Sequence, residues 1–467
     1  MVKNFNIKQF WVPGSRAIYQ DLRLWERVTL MNLYRLFRVV AKAVRSGLII
    51  LLCGSYAWSP THAVEASVLL LSDARTRALS SNPGLAEMQE RYEALNHIAP
   101  QVSTLPDPVL SLNAMNLPWD SFDLNQEPMT QLQLAVSQMF PFPGKLSLRE
   151  DIAVFEAEAA LYSVEEMRLN LEKNVTLTWW DVYYLDRSME TVLKNQALLR
   201  QFVEIANTRY EVGNGLQQDV LLAQLELSKL LDTEIQLKSM REQRVIRLNV
   251  LMDVQPNIPV ELPSMMPSLF RAVASDSTLY QRAILARPLL RQEEASIQAS
   301  ESRLALAKKE YYPDFKLGVA YGNREEDDLG QSRQDFLSVM LSVNLPLHTG
   351  TRQSQAVQQQ SREVARNRYS LSDQKNLVLS SISTSVAEYN QATEQLNLYG
   401  EGIVPQARQT VESMLAGYQV NQVDFLNVVR SQATLLNYEL LYWKAFTEIN
   451  QSIARLAAAV GEENIYE

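Results

Sequence analysis

The sequence predicts a mainly α-helical protein with a β-barrel portion, laid out as two tandem repeats of helix, strand, strand, long helix, turn and helix. Three observations carry that prediction. The chain resembles itself at a spacing of about 205 residues, far longer than a solenoid period. Each copy contains a pair of segments with two-residue alternation, the period of a strand. Each also contains a long tract with apolar residues every three or four positions, interrupted once by a short turn.

The first 63 residues stand apart. Arg35, Arg38, Lys42 and Arg45 precede the apolar run GLIILLCGSYAW (47–58), and SPTHAVEA then offers small residues for cleavage near Ala63 or Ala66. Residues 1–63 therefore read as an N-terminal extension and signal peptide, and Met31 is a second candidate start. Cys53 is the only cysteine, which excludes a disulfide framework. Leu52 precedes it where lipidation requires a small residue, so Cys53 reads as part of the leader. Residues 1–63 hold nine of the 44 Lys and Arg and two of the 53 Asp and Glu, leaving 35 and 51 and a net charge of −16. That balance argues against nucleic acid as a partner. An exported, acidic chain without thiols points to the cell envelope, and a mean hydropathy of −0.17 argues against a polytopic helical membrane protein.

The repeats are expected at 64–253 and 276–461, joined by a proline-rich linker at 254–275 and followed by a short tail at 462–467. LPDPVLSLNAM (105–115) pairs with YYPDFKLGVAY (311–321), and LAVSQMFPFPGK (134–145) with LSVNLPLHTGTR (341–352). Helices of about 70–104 and 217–252 flank the first copy's strands and turn. Together they match the length of the long helix, so two short helices stacked end to end would run alongside one long one. Within the strands, Leu110, Leu112 and Ala114 alternate with Ser111 and Asn113, and Leu132, Leu134 and Val136 with Gln133 and Ser137. In the second copy Phe315, Leu317, Val319 and Tyr321 alternate with Lys316, Gly318 and Ala320. Leu337, Val339, Leu341 and Val343 then alternate with Ser338 and Ser342. One apolar and one small-polar face suit a transmembrane barrel. A single chain has too few strands to close one, and an open edge is not tolerated in lipid, so several chains must share it.

No proline interrupts residues 144–212, which predicts a helix about 100 Å long. Its seam runs through Leu161, Val164, Arg168, Leu171, Val175, Thr178, Val182, Leu185, Met189, Val192, Gln196, Leu199, Val203, Ala206 and Tyr210, the spacing of a coiled coil. Pro405, after Gly400 and Gly402, predicts a kink in the second copy. The turns that end these tracts, RYEVGNGLQQDVLLAQ (209–224) and GYQVNQVDFLNVVRSQ (417–432), align Tyr210 with Tyr418, Gly213 with Asn421 and Asp219 with Asn427.

These segments together resemble the outer-membrane efflux family typified by TolC, and within it the heavy-metal branch of CusC and CzcC. The likeness rests on NPGLAEMQERYEAL (82–95), LPDPVLSL (105–112), FPFPGK (140–145), YEVGNGLQQDVLLAQ (210–224), YYPDFKL (311–317), IVPQA (403–407) and GYQVNQVDFLNVVRSQATLLNYEL (417–440), in that order and duplicated. The resemblance implies a homotrimer whose α-helical barrel continues a shared twelve-stranded transmembrane β-barrel in outer-membrane lipid. It further implies docking to a periplasmic adaptor (a membrane fusion protein) and an inner-membrane RND-type pump. Heavy-metal cations would be the cargo. Drug efflux or type I protein secretion is the alternative, and a periplasmic coiled-coil adaptor or scaffold a further one.

The resemblance also places both turns at the periplasmic end. Tyr210, Gly213, Asp219, Tyr418, Asp424 and Asn427 are the candidate gate there. Tyr418 and Asp219 match a latch that holds the entrance closed, through a charge-assisted hydrogen bond. Both residues also suit plain helix capping. Val423 stands where such latches use arginine. Asp424 either adds a threefold carboxylate ring favouring cations or caps the helix that follows. The sequence offers no catalytic constellation, metal-ligand set or cofactor motif. Its three histidines, His62, His97 and His348, are isolated from one another.

Overall fold

A computed structural model describes residues 68–265, 272–326, 330–462 and 465–466. The leader, Met31 and Cys53 lie outside these residues. The described elements run α1 (Leu71–Ser81), α2 (Pro83–Asn96), α3 (Ile98–Ser103), β1 (Val109–Met115), β2 (Gln131–Phe140), α4 (Lys145–Glu211) and α5 (Gln217–Leu251). The second copy follows with α6 (Asp276–Ala286), α7 (Pro288–Lys309), β3 (Phe315–Asn323), β4 (Phe336–Val343), α8 (Ser354–Asn397), α9 (Val404–Gln419) and α10 (Phe425–Val460). No helix among the described residues is long and apolar enough to cross a membrane.

The helix expected over 70–104 is three helices, a correction with a local cause. Asn82 is extended (φ −66°, ψ 119°) because Pro83 disfavours a helical residue before it. The Asn82 side chain then caps α2, accepting from the Gly84 and Leu85 N–H groups at 3.0 and 3.2 Å. Its amide donates to the Leu251 carbonyl at 3.0 Å, so the start of α2 abuts the end of α5. The second copy breaks at the matching place, with extended Arg287 before Pro288. There Gly461, left-handed at φ 87°, sits against Arg287 so closely that a Cβ on it would lie 3.1 Å from the Arg287 Cα. The end-to-end stacking expected from helix lengths is present in both copies at these junctions.

The four strands form one antiparallel sheet in the order β1-β2-β3-β4. Register puts the apolar residues in rows across it. Leu112, Leu134, Tyr321 and Leu337 form one row, and Leu110, Val136, Val319 and Val339 the next. The opposite face carries small or polar rows such as Ser111, Ala135, Ala320 and Ser338. The apolar face is uncovered in the single chain, with Leu112 76% and Leu337 73% exposed. Among the described residues strands β1 and β4 each have one neighbour, which leaves two open edges in the single chain.

Where the sheet meets the helices, the Lys145 amine is buried among the Asp314 carboxylate (2.9 Å), the Glu310 carboxylate (3.3 Å) and the Tyr312 carbonyl (3.2 Å). Phe142 stacks on Tyr312 beside it, ring centroids 4.5 Å apart. Burial alone would raise the Asp314 pKa, but bonds from Lys145 and the Phe142 N–H outweigh it and hold the carboxyl below its ordinary range.

The α4 seam is buried over most of Leu171 to Ala206, as its spacing predicts, while Leu161 and Val164 are half-buried and Arg168 and Tyr210 are exposed. Beside the seam an aromatic group not included in it, Trp179, Trp180 and Tyr183, meets Phe446 and Trp443 of α10. The kink expected at Pro405 takes a defined form. A π-helical turn, Leu398–Ile403, widens the helix just before Pro405, which opens α9. A wider turn accommodates a ring that has no N–H to donate and would crowd the preceding carbonyls. Gly400 lets Tyr442 approach there, since a Cβ would stand 3.1 Å from its ring.

Candidate functional site

The two tip turns close by the same backbone device. After α4, the Gly213 N–H donates to the Tyr210 carbonyl (3.0 Å) and the Asn214 N–H to the Arg209 carbonyl (2.8 Å). After α9, the Asn421 N–H donates to the Tyr418 carbonyl (3.2 Å) and the Gln422 N–H to the Gly417 carbonyl (2.8 Å). This pair of bonds is a Schellman ending, which places a left-handed residue just past the helix. Gly213 (φ 77°) and Asn421 (φ 65°) occupy that position. Glycine lacks the Cβ that disfavours it, and asparagine tolerates it better than most residues. The alignment of Gly213 with Asn421 thus has a backbone explanation.

Each turn is followed at once by a helix, and Asp219 and Asn427 are the third residues of α5 and α10. The structure brings Asp219 to Tyr418: the phenol donates to the Asp219 Oδ2 at 3.2 Å. Tyr418 is only 4% exposed, packed against Phe425 with the rings tilted and their centroids 5.0 Å apart. Burial, then the Asp219 charge and its hydrogen bond, push the phenol up to about 12, with Arg209 opposing them. Tyr418 is therefore a neutral donor throughout the physiological range. In the first turn of α5 the Asp219 charge also complements the helix dipole, so latch-like and helix-end geometry coexist in one side chain.

Other candidates stand outside that pair. Tyr210 is exposed, and Asn427 is exposed on the first turn of α10. Asp424 is the N-cap residue of α10 with extended backbone (φ −70°, ψ 143°), yet its side chain makes no capping hydrogen bond and faces solvent. Val423 packs inside the turn, where a Cβ on Gly417 would come within 2.7 Å of its Cγ2.

One contributor is absent from the sequence-based set. Arg209, in the last turn of α4, donates from Nη1 to the Tyr418 carbonyl and from Nη2 to the Asn214 carbonyl at 3.1 Å. Its guanidinium carbon lies 4.5 Å from the centre of the Tyr418 ring. The available signal was a mismatch between copies, because Arg209 of the first turn aligns with Gly417 of the second.

Farther along the bundle a buried polar layer crosses three helices. The Gln432 amide donates to the Asn195 Oδ1, and the Asn195 amide to the Thr191 carbonyl (2.9 Å) and Glu439 (3.3 Å). Glu439 also pairs with Arg408 at 3.1 Å. Among the described residues no group of three or more His, Cys, Asp or Glu is placed to hold a metal ion. Hydrogen bonds and charges join the two hairpins at the tip.

Comparison with known proteins agrees with this layout. The family profile described as outer membrane efflux protein matches residues 74–253 and 279–462. Among curated relatives, the outer membrane efflux protein BepC of Brucella suis biovar 1 (strain 1330) is 22% identical over 316 residues, covering 66% of this chain and 68% of that one. Among solved structures, the outer membrane protein VceC of Vibrio cholerae superposes with a TM-score of 0.72 at 18% identity, over 84% of this chain and 96% of its own. The outer-membrane channel OprN gives 0.72 at 18% identity over 84% and 89%, and CusC gives 0.70 at 13% identity over 84% and 92%.

Proposed function

The chain belongs to the outer membrane efflux protein family, and on that premise we propose that three copies assemble into one passive duct of a tripartite efflux system. It is an outer-membrane protein and not an enzyme. The observation that carries the duct reading is the sheet, with an uncovered apolar face, a small-residue opposite face and two open edges. Lipid tolerates no unpaired edge, and three such sheets joined edge to edge make the shared twelve-stranded barrel. The repeats 64–253 and 276–461, linked through 254–275, then supply the periplasmic helices. A periplasmic adaptor and an RND-type pump deliver the cargo to the tip. Trimer bands from outer-membrane fractions that collapse to monomer only on boiling test the assembly, and a monomer under all conditions refutes it.

Heavy-metal cations are the proposed cargo, supported by the likeness of the LPDP segment and the extended N-terminal stretch to the metal-efflux branch. A deletion strain should lose metal resistance. Loss of resistance to organic toxicants alone moves the reading to drug efflux.

At the tip, Tyr418 and Asp219 form the closing latch, with Tyr210 and Gly213 in the facing turn. Asp424 and Asn427 line the entrance. The Tyr418–Asp219 bond supports this role. It is strong enough to bias closure, yet exchangeable when a partner separates the hairpins.

A further inference from the structure

We infer that Arg209 is a second, separate closing arm at the tip, acting on the Tyr418 backbone and ring rather than on its hydroxyl; the inference rests on the proposed latch. The family likeness leads to an arginine at position 423, on the same hairpin as Tyr418. Valine stands there and packs against Gly417. The positive charge comes from the other copy, on the last turn of α4.

The geometry separates this arm from the carboxylate arm. Asp219 accepts the phenol proton, while Arg209 donates to the Tyr418 carbonyl and lies over the ring face. That carbonyl also accepts the Asn421 N–H of the second Schellman turn, so the guanidinium holds the end of α9 itself. Its other nitrogen holds the Asn214 carbonyl of the first turn. One planar fork thus spans both turns. A lysine can place one charge but cannot hold two carbonyls and a ring together. Removing the Tyr418 hydroxyl leaves every Arg209 contact intact, and removing Arg209 leaves the hydroxyl bond intact.

The test uses purified full-length protein in planar bilayers, with current at fixed voltage as readout. The variants are Arg209→Ala, Arg209→Lys, Tyr418→Phe, Asp219→Ala and the double Arg209→Ala/Tyr418→Phe. Arg209→Ala should raise the open-to-closed ratio about tenfold, the scale of one charge-assisted hydrogen bond. Arg209→Lys should give an intermediate rise, and the double variant should exceed either single one. Thermal stability of the assembled protein should stay at the wild-type value in Arg209→Lys, which separates closure from folding. Wild-type current in Arg209→Ala, with increased current in Asp219→Ala, overturns the second arm and leaves the latch standing. Wild-type current in all five variants overturns the latch and the arm together.

Discussion

The Tyr418 hydroxyl donates to the Asp219 carboxylate at 3.2 Å, joining two residues 199 positions apart in the chain. It ties the last turn of α9 to the first turn of α5, so one bond bridges the ends of two hairpins.

The bond should fail in base. The Tyr418 pKa is raised from 10.0 to about 12, so the phenol binds its proton more tightly in the folded chain than in the unfolded one. Its contribution is complete below pH 10 and is lost as pH rises towards 12. Ultraviolet difference titration of wild type against Tyr418→Phe should show one tyrosine ionising near the top of that window. A difference curve centred at 10 contradicts this.

Gly417→Ala should open the tip. The new Cβ would stand 2.7 Å from Val423 Cγ2, and valine has little χ1 freedom with which to withdraw. The turn that carries Tyr418 must shift, and single-channel current should rise several-fold. Adding Val423→Ala should restore the wild-type current, which a general loss of helix propensity would not explain.

Asp424→Asn should lower cation preference. The side chain is exposed at the start of α10 and makes no capping bond, so its charge is available to passing ions. Reversal-potential measurements in a salt gradient read the change. Unaltered selectivity assigns Asp424 to the helix end alone.

The Lys145 cluster should be a folding determinant. Lys145→Met removes the amine that serves Asp314 and Glu310 and should cost about 1–3 kcal/mol, the scale of losing a charged hydrogen-bond partner, since both carboxylates keep some contact with water. The Asp314 pKa lies below its ordinary 3.8, so the stability it contributes is present above that pH and is lost as pH falls through the folded value. Thermal melts of Lys145→Met and wild type should converge in acid and diverge at neutral pH.

The polar layer should behave as a pair. Asn195→Ala leaves the buried Gln432 amide unpaired and should cost about 1–3 kcal/mol by thermal denaturation. The double Asn195→Leu/Gln432→Leu should recover most of that loss.

Much of this fold was legible because its signals are local. An uninterrupted 3–4 spacing without proline placed a helix over 144–212, and the structure has it at Lys145–Glu211. Alternation placed four strands within a few residues of their limits. The breaks at Asn82 and Arg287 were written as Asn-Pro and Arg-Pro, but helical periodicity continuing on both sides masked the first. What stayed hidden depends on distant partners. Gln224 and Gln432 align, yet Gln224 is exposed and Gln432 is buried against Asn195. Arg209 could not be ranked because its acceptors are backbone carbonyls, which leave no mark on side-chain pattern. The duplication located the two turns, and the family resemblance singled out Asp219 and Tyr418 within them.

The unpaired margins of β1 and β4 make a solitary chain hazardous to its cell. Each margin is a template for any extended segment nearby, and the apolar face beside it rewards burial without regard to partner. In the proposed trimer, each new copy races between meeting two siblings and sticking to strangers. Concentration accelerates both outcomes, so yield turns on supply rate as well as on the stability of the finished assembly.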